Sequence, residues 1–316
     1  QRRGARRGAL GQGSPAMRST MSCLFLASMI STAILLAGCH PGARTIQVDG
    51  RTRTYELHAP AAQDAAPRPL VIALHQFSDT ARGMQRLTGF DAVADEENFL
   101  VVYPDGLGRR WRVGERGGRV DDVNFLLALI DAVDAAYPVD RARIYVTGAS
   151  NGGMMAQYFA CETDVPAAIA PVMGSLTRDW CEGCARTGPL PVLLIHGTDD
   201  PVVPYEGSGG SGIAGQIKGG FVSAEENAAF WAARNGAAAG PDIEKWPDSD
   251  PEDGTRVDVL RHADGAAPAL LYRVNGGGHT WPGHKNYYPR FFVSRASMEF
   301  DATRVIWDFF KAHARP

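Results

Sequence analysis

The sequence predicts an α/β fold: a mainly parallel central sheet with helices on both faces, in a single domain. Three observations predict it. From Leu70 onward, short runs rich in Val, Ile and Leu alternate with stretches of helical spacing, as expected of strands buried on both faces and the helices that cover them. One such run, Arg143 to Thr147, passes through Gly148-Ala149-Ser150-Asn151-Gly152 into a helical stretch, Gly153 to Ala160. Finally, Ser150, Asp200 and His279 each follow a strand-like run, at the carboxyl edge where parallel sheets collect ligands.

The chain has 316 residues and a net charge of -3. No dense Lys/Arg stripe runs through its body, so no nucleic-acid partner is expected. Residues 1–16 are basic and glycine-rich and precede Met17; they read as a leader or translation artefact. Residues 17–38 combine Arg18 with an apolar run that closes on Leu36-Ala37-Gly38-Cys39. That is an export signal, and its end resembles a bacterial lipobox, which makes Cys39 the lipidated residue. The expected product is exported, either lipid-anchored at the bacterial cell envelope or secreted, with a catalytic domain over residues 39–316. Its only membrane contact is the anchor at Cys39, and it is expected to be a monomer.

The elements follow in order. Thr45–Val48, the Asp49-Gly50 turn and Thr54–Leu57 read as a hairpin. Leu70–Leu74 is a buried strand ending at His75-Gln76-Phe77-Ser78. A helix covers Phe90–Glu97, and Phe99–Tyr103 is the next strand. Asp121 and Asp122 open a helix as its acidic cap, with Phe125, Leu126, Leu129, Ile130 and Val133 at helical spacing. After the Ser150 turn come strands at Ala167–Val172 and Pro191–Ile195, the second running into His196-Gly197-Thr198-Asp199-Asp200. Gly207–Gly220 reads as a mobile glycine-rich loop, Ala224–Ala233 as a helix and Trp246–Gly254 as an acidic surface loop. Leu270–Val274 is the last clear strand, before Gly276-Gly277-Gly278-His279, and Phe300–His313 is a closing helix.

Strand, G-x-S-x-G turn and helix together make a nucleophile elbow. A serine hydroxyl is a weak nucleophile at neutral pH, so it needs a base, and the base needs a fixed tautomer. Ser, then acid, then His is a chain order that serves this chemistry. His279 is the expected base, because three glycines let the backbone swing it inward; His284 is the next choice. Asp200 is preferred to Asp199 as the acid, because Pro201-Val202-Val203-Pro204 fixes its direction. The oxyanion donors are the amide of Asn151 and that of Phe77, with Gln76 as the second choice for the latter. Phe77, Trp111, Trp281 and Gln76 are the expected substrate-binding residues. No metal or cofactor is required. Of the body cysteines, Cys161, Cys181 and Cys184, three is odd, which suggests one pair and one free thiol. Cys181-x-x-Cys184 has no second half that would make it a zinc site.

Together, Tyr103-Pro104-Asp105-Gly106, Val120-Asp121-Asp122-Val123, Gly148–Met154, His196–Asp200 and Gly276–Gly283 resemble a known family over about Thr45 to Phe310. That family is the secreted polyhydroxybutyrate depolymerase and feruloyl esterase type, within the α/β-hydrolases. The resemblance implies the α/β-hydrolase fold, Ser150 as nucleophile, Asp200 as acid, His279 as base and a Cys161–Cys184 disulfide. The family has His-Gly at the oxyanion loop where this chain has His75-Gln76, and glycine there eases an unusual backbone angle. The expected function is a serine carboxylic-ester hydrolase acting on short-chain, hydroxyalkanoate or aromatic acyl esters. The rivals are an acyltransferase on the same fold and a non-catalytic surface-binding lipoprotein.

Overall fold

A computed structural model describes residues 43–61, 66–115, 117–207, 220–284 and 289–316. The expected leader, signal and Cys39, and most of the Gly207–Gly220 loop, lie outside the described residues.

Among the described residues, ten strands form one sheet. They are β1 (Arg44–Val48), β2 (Arg51–His58), β3 (Arg68–Leu74), β4 (Leu100–Pro104), β5 (Val139–Ala149), β6 (Ala168–Val172), β7 (Val192–Gly197), β8 (Asp242–Lys245), β9 (Arg256–His262) and β10 (Ala269–Asn275). Across the sheet the order is β1-β2-β4-β3-β5-β6-β7-β10-β9-β8. The six from β4 to β10 are mutually parallel. Antiparallel pairs close both edges: β1 and β2 on one side, β9 and β8 on the other.

The helices are α1 (Ala81–Thr88), α2 (Phe90–Glu97), α3 (Asp122–Ala136), α4 (Asn151–Glu162), α5 (Arg178–Gly183), α6 (Ala224–Arg234), α7 (Arg290–Val293) and α8 (Ala302–Lys311). Polar side chains fix where four of them begin. Thr80 caps α1 through the Gly83 amide, Asp121 caps α3 through Asn124, and Asp301 caps α8 through Thr303 and Arg304. Ser223 and Glu226 form a reciprocal capping box on α6. Asp122 departs from the expected capping pair: it is buried and ion-paired to Arg53 at 2.7 Å, with the Arg53 guanidinium over the Phe125 ring.

Alternation along the strands divides the core in two. On β3, Leu70, Ile72 and Leu74 face a cluster with Phe125, Leu129, Phe159 and Trp231. Val71 and Ala73 face the other cluster, with Met84, Phe90, Phe99, Trp307 and Phe310. A residue step of two sends alternate side chains to opposite faces, so one apolar strand supplies both layers.

Candidate active site

Ser150, Asp200 and His279 reach one edge by topology. Ser150 follows β5, Asp200 lies just beyond β7, and His279 follows β10. In the sheet β7 and β10 are neighbours, with β6 alone between β7 and β5, and all four point the same way. Residues 129 positions apart in sequence are thereby brought to the same rim.

Ser150 has φ 54° and ψ -117° at the head of α4. This is a costly backbone state for a residue with a β-carbon. Its amide is tied to the Val172 carbonyl at 2.9 Å. The flanking glycines let the turn close: a Cβ on Gly148 would run into the Gly152 backbone, and one on Gly152 into the Leu74 carbonyl. The elbow is thus pressed backbone-to-backbone against the end of β3, which leads into the expected oxyanion loop.

His279 Nδ1 lies 2.7 Å from Asp200 Oδ2, and both side chains are buried. The His279 amide donates to the Val293 carbonyl, which anchors the loop after β10 to α7. Asp200 Oδ1 accepts from the amides of Val202 and Val203, each at 2.8 Å. Burial alone would push the Asp200 carboxyl up. The positive field of His279 and hydrogen bonds from His196 and His279 outweigh it and hold the group well below the usual carboxylate range. Asp199, the alternative acid, is exposed, and among the described residues its carboxylate accepts only from Thr198 Oγ1, at 3.3 Å. His284, the alternative base, faces Asp301 at 3.7 Å. Among the described residues no hydrogen bond joins Ser150 Oγ to His279.

The loop after β3 is braced from below. His75 is fully buried; its Nε2 accepts from the Gly106 amide at 2.9 Å, so Nδ1 carries the proton and donates to the Gln76 carbonyl at 2.7 Å. Burial pushes the His75 pKa down, against the pull of that carbonyl and of Asp105. Gln76 is absent from the positive-φ residues; the left-handed conformation falls on Ser78, at φ 63°. A glycine is therefore not demanded at position 76. Among the described residues, neither the Phe77 nor the Asn151 amide is engaged in a loop or turn hydrogen bond.

Beside the elbow lies a cavity of about 360 Å³, walled by Phe77, Trp111, Asn151, Met154 and Trp180, with Arg110 among its other lining residues. Asn151 fixes its wall through two bonds: the Trp111 amide donates to Oδ1 at 2.7 Å, and Nδ2 donates to the Trp111 carbonyl at 3.2 Å. The Trp111 indole donates to the His75 carbonyl at 2.9 Å.

Two expected substrate contacts require correction. Trp281 is 1% exposed; its indole donates to Thr303 Oγ1 at 3.0 Å and its ring meets Phe90 edge-on. It is a core residue under α8, because the chain turns inward directly after His279. The Gln76 side chain is buried and turned to Asp79 Oδ2 at 3.3 Å, away from the cavity wall. Sequence reasoning missed Met154 and Trp180 as wall residues, and it missed His196 beside Asp200; only the position of His196 in His196-Gly197-Thr198-Asp199-Asp200 signalled the last.

The Cys161–Cys184 disulfide is formed, and Cys181 is a free, half-buried thiol whose pKa burial raises. Among the described residues no cluster of His, Cys, Asp or Glu is placed to hold a metal ion. No helix among them is long and apolar enough to cross a membrane.

A family described as Phospholipase/Carboxylesterase matches residues 121–209. The chain is 32% identical over 281 residues to the "Putative esterase NocK" of Nocardia uniformis subsp. tsuyamanensis, covering 84% of this chain and 81% of that protein. It is 31% identical over 221 residues to feruloyl esterase B of Piromyces equi, covering 67% of this chain but only 39% of that protein. In structure it resembles an acetyl xylan esterase from Aspergillus awamori, with a TM-score of 0.56 at 18% identity over 72% of this chain and 89% of that one; this likeness concerns the fold. Taken with the parallel sheet and its rim, these relationships show that the chain belongs to the feruloyl esterase-type family of α/β-hydrolases and is an esterase.

Proposed function

We propose that the chain is an exported serine carboxylic-ester hydrolase that works through Ser150, His279 and Asp200. The observation that carries this reading is the buried His279–Asp200 bond, formed on the same sheet edge as a strained serine at a helix head. In this reading Ser150 Oγ attacks the ester carbonyl carbon while His279 Nε2 takes its proton. The amides of Asn151 and Phe77 hold the oxyanion. His279 returns the proton to the leaving alcohol, and water then attacks the acyl-enzyme by the same route in reverse. Asp200 stays ionised and holds the histidine tautomer. No metal takes part.

The cavity supports a compact acyl group. Phe77, Trp111, Met154 and Trp180 offer apolar faces, and about 360 Å³ accommodates a short hydroxyalkanoyl unit or a single aromatic acid. The segment over residues 17–38 supports export, with Cys39 as anchor.

The test is to express the chain from His40 and assay p-nitrophenyl esters of increasing acyl length, followed by hydroxybutyrate oligomers and feruloyl esters, beside Ser150→Ala. Loss of turnover by more than about 10³-fold in a folded variant is the expected result. A variant as active as the wild type would overturn the assignment of Ser150.

A further inference from the structure

Asp200 has a second imidazole against it. His196, near the end of β7, is 3% exposed. Its Nε2 stands 2.9 Å from the Val203 carbonyl and 3.5 Å from Asp200 Oδ2. A carbonyl oxygen only accepts, so this nitrogen carries a proton, and that proton lies between the carbonyl and the carboxylate. The Tyr205 ring stands edge-on to the imidazole, 6.0 Å between centroids, and its hydroxyl donates to Glu225 at 2.9 Å.

These contacts close a small ring of restraints. Val203 donates its amide to Asp200 Oδ1, and its carbonyl accepts from His196. His196 also approaches the other carboxylate oxygen, the one that takes His279 Nδ1. The two amides on Oδ1 locate one end of the carboxylate but leave it free to twist about that end. A donor on the far side of Oδ2 opposes the twist.

We propose that His196 is a positioning residue for ester hydrolysis: its shared N–H holds Asp200 Oδ2 in line with His279 Nδ1. This rests on the assignment of Asp200 and His279 made above. His196 touches neither substrate nor nucleophile in this scheme; it acts through the carboxylate alone.

A double-mutant cycle tests this. Initial rates on one p-nitrophenyl ester are compared for His196→Leu, His196→Gln, Asp200→Asn and the His196→Leu/Asp200→Asn double variant, each checked by circular dichroism and thermal melting. Leucine fills the space without a donor, while glutamine carries an amide nitrogen to about the place of Nε2. His196→Leu is expected to lower kcat by about 10- to 100-fold with KM within about twofold, as misplacement of a reacting group does. Glutamine is expected to restore most of that loss. In the Asp200→Asn background, His196→Leu should cost less than about threefold more, because the group it acts on is already gone.

Undiminished kcat in a folded His196→Leu enzyme overturns the inference. So does a full multiplicative loss on top of Asp200→Asn, which would mark a general packing role. If His196→Leu does not fold, His196→Asn replaces it throughout, since its amide is too short to reach Oδ2; wild-type turnover there likewise overturns the inference. Full activity in Asp200→Asn alone would instead refute the triad assignment.

Discussion

At Ser150 function and local stability pull in opposite directions. The residue occupies φ 54° and ψ -117°, a region glycine enters freely and other residues enter at a cost of about 1–3 kcal/mol. Ser150→Gly is therefore expected to abolish turnover yet melt at a higher temperature than Ser150→Ala, by about 1 kcal/mol of stability; calorimetry of the two variants checks it. His75 yields a pH prediction. Burial lowers its pKa in the folded chain below the unfolded value of about 6.5. Between those two values the unfolded chain binds more protons, so stability rises with pH. The contribution is complete above the unfolded pKa and is lost as pH falls below it toward the folded one. Urea midpoints at pH 7.5 and pH 5 should therefore fall further apart in the wild type than in His75→Gln, whose side-chain carbonyl keeps an acceptor for the Gly106 amide.

At the scale of elements, the disulfide joins the last turn of α4 to the end of α5, 23 residues on. The short α5 carries Trp180 of the cavity wall. Cys161→Ala with Cys184→Ala is expected to cost about 3 kcal/mol from the reopened loop and to raise KM more than it lowers kcat; urea melts and steady-state kinetics separate the two effects. What the sequence disclosed at this scale follows burial. β3, β4, β5, β6, β7 and β10 each carry a continuous apolar run and stood out. α1 was not foreseen, because Arg82, Gln85 and Arg86 dilute an apolar face made of Ala81, Met84 and Leu87. β8 is exposed along its length and polar at three of four positions, so its apolar signal was weak. β9 breaks its buried apolar residues with Arg256, Asp258 and Arg261 at the sheet margin and lacked the continuous apolar run that marked the central strands. Ser150, Asp200 and His279 were legible because each follows a legible strand. Trp281 was misjudged for the same reason: nearness to His279 in sequence says nothing about which way the next side chain turns.

Across the whole molecule, one of the two core layers is closed by the terminal helix. Trp307 of α8 stacks on Phe99 at 3.7 Å between centroids and meets Tyr145 edge-on, while Phe310 stacks on Tyr145 at 4.7 Å. Trp307→Ala is expected to lose about 3–5 kcal/mol of stability with KM unchanged, because this layer lies away from the cavity wall. Among the described residues the Trp307 indole N–H is buried without a partner, so Trp307→Phe should cost far less, as it removes an unpaired donor. Chemical denaturation of both variants beside ester kinetics tests this division between scaffold and site.

Asn151 grips the cavity wall through the amide and carbonyl of Trp111 and through nothing else of that residue. A grip on main-chain atoms is indifferent to the letters it holds. The side chains of Arg112 and Glu115 can thus vary while the turn bearing Ser150 keeps its shape, whereas Gly114, at φ 81° with Trp180 beside it, and Val113, packed on the core, are held. Selectivity and reactivity become separately heritable, and a library confined to Arg112 and Glu115 would explore new esters without re-inventing the chemistry.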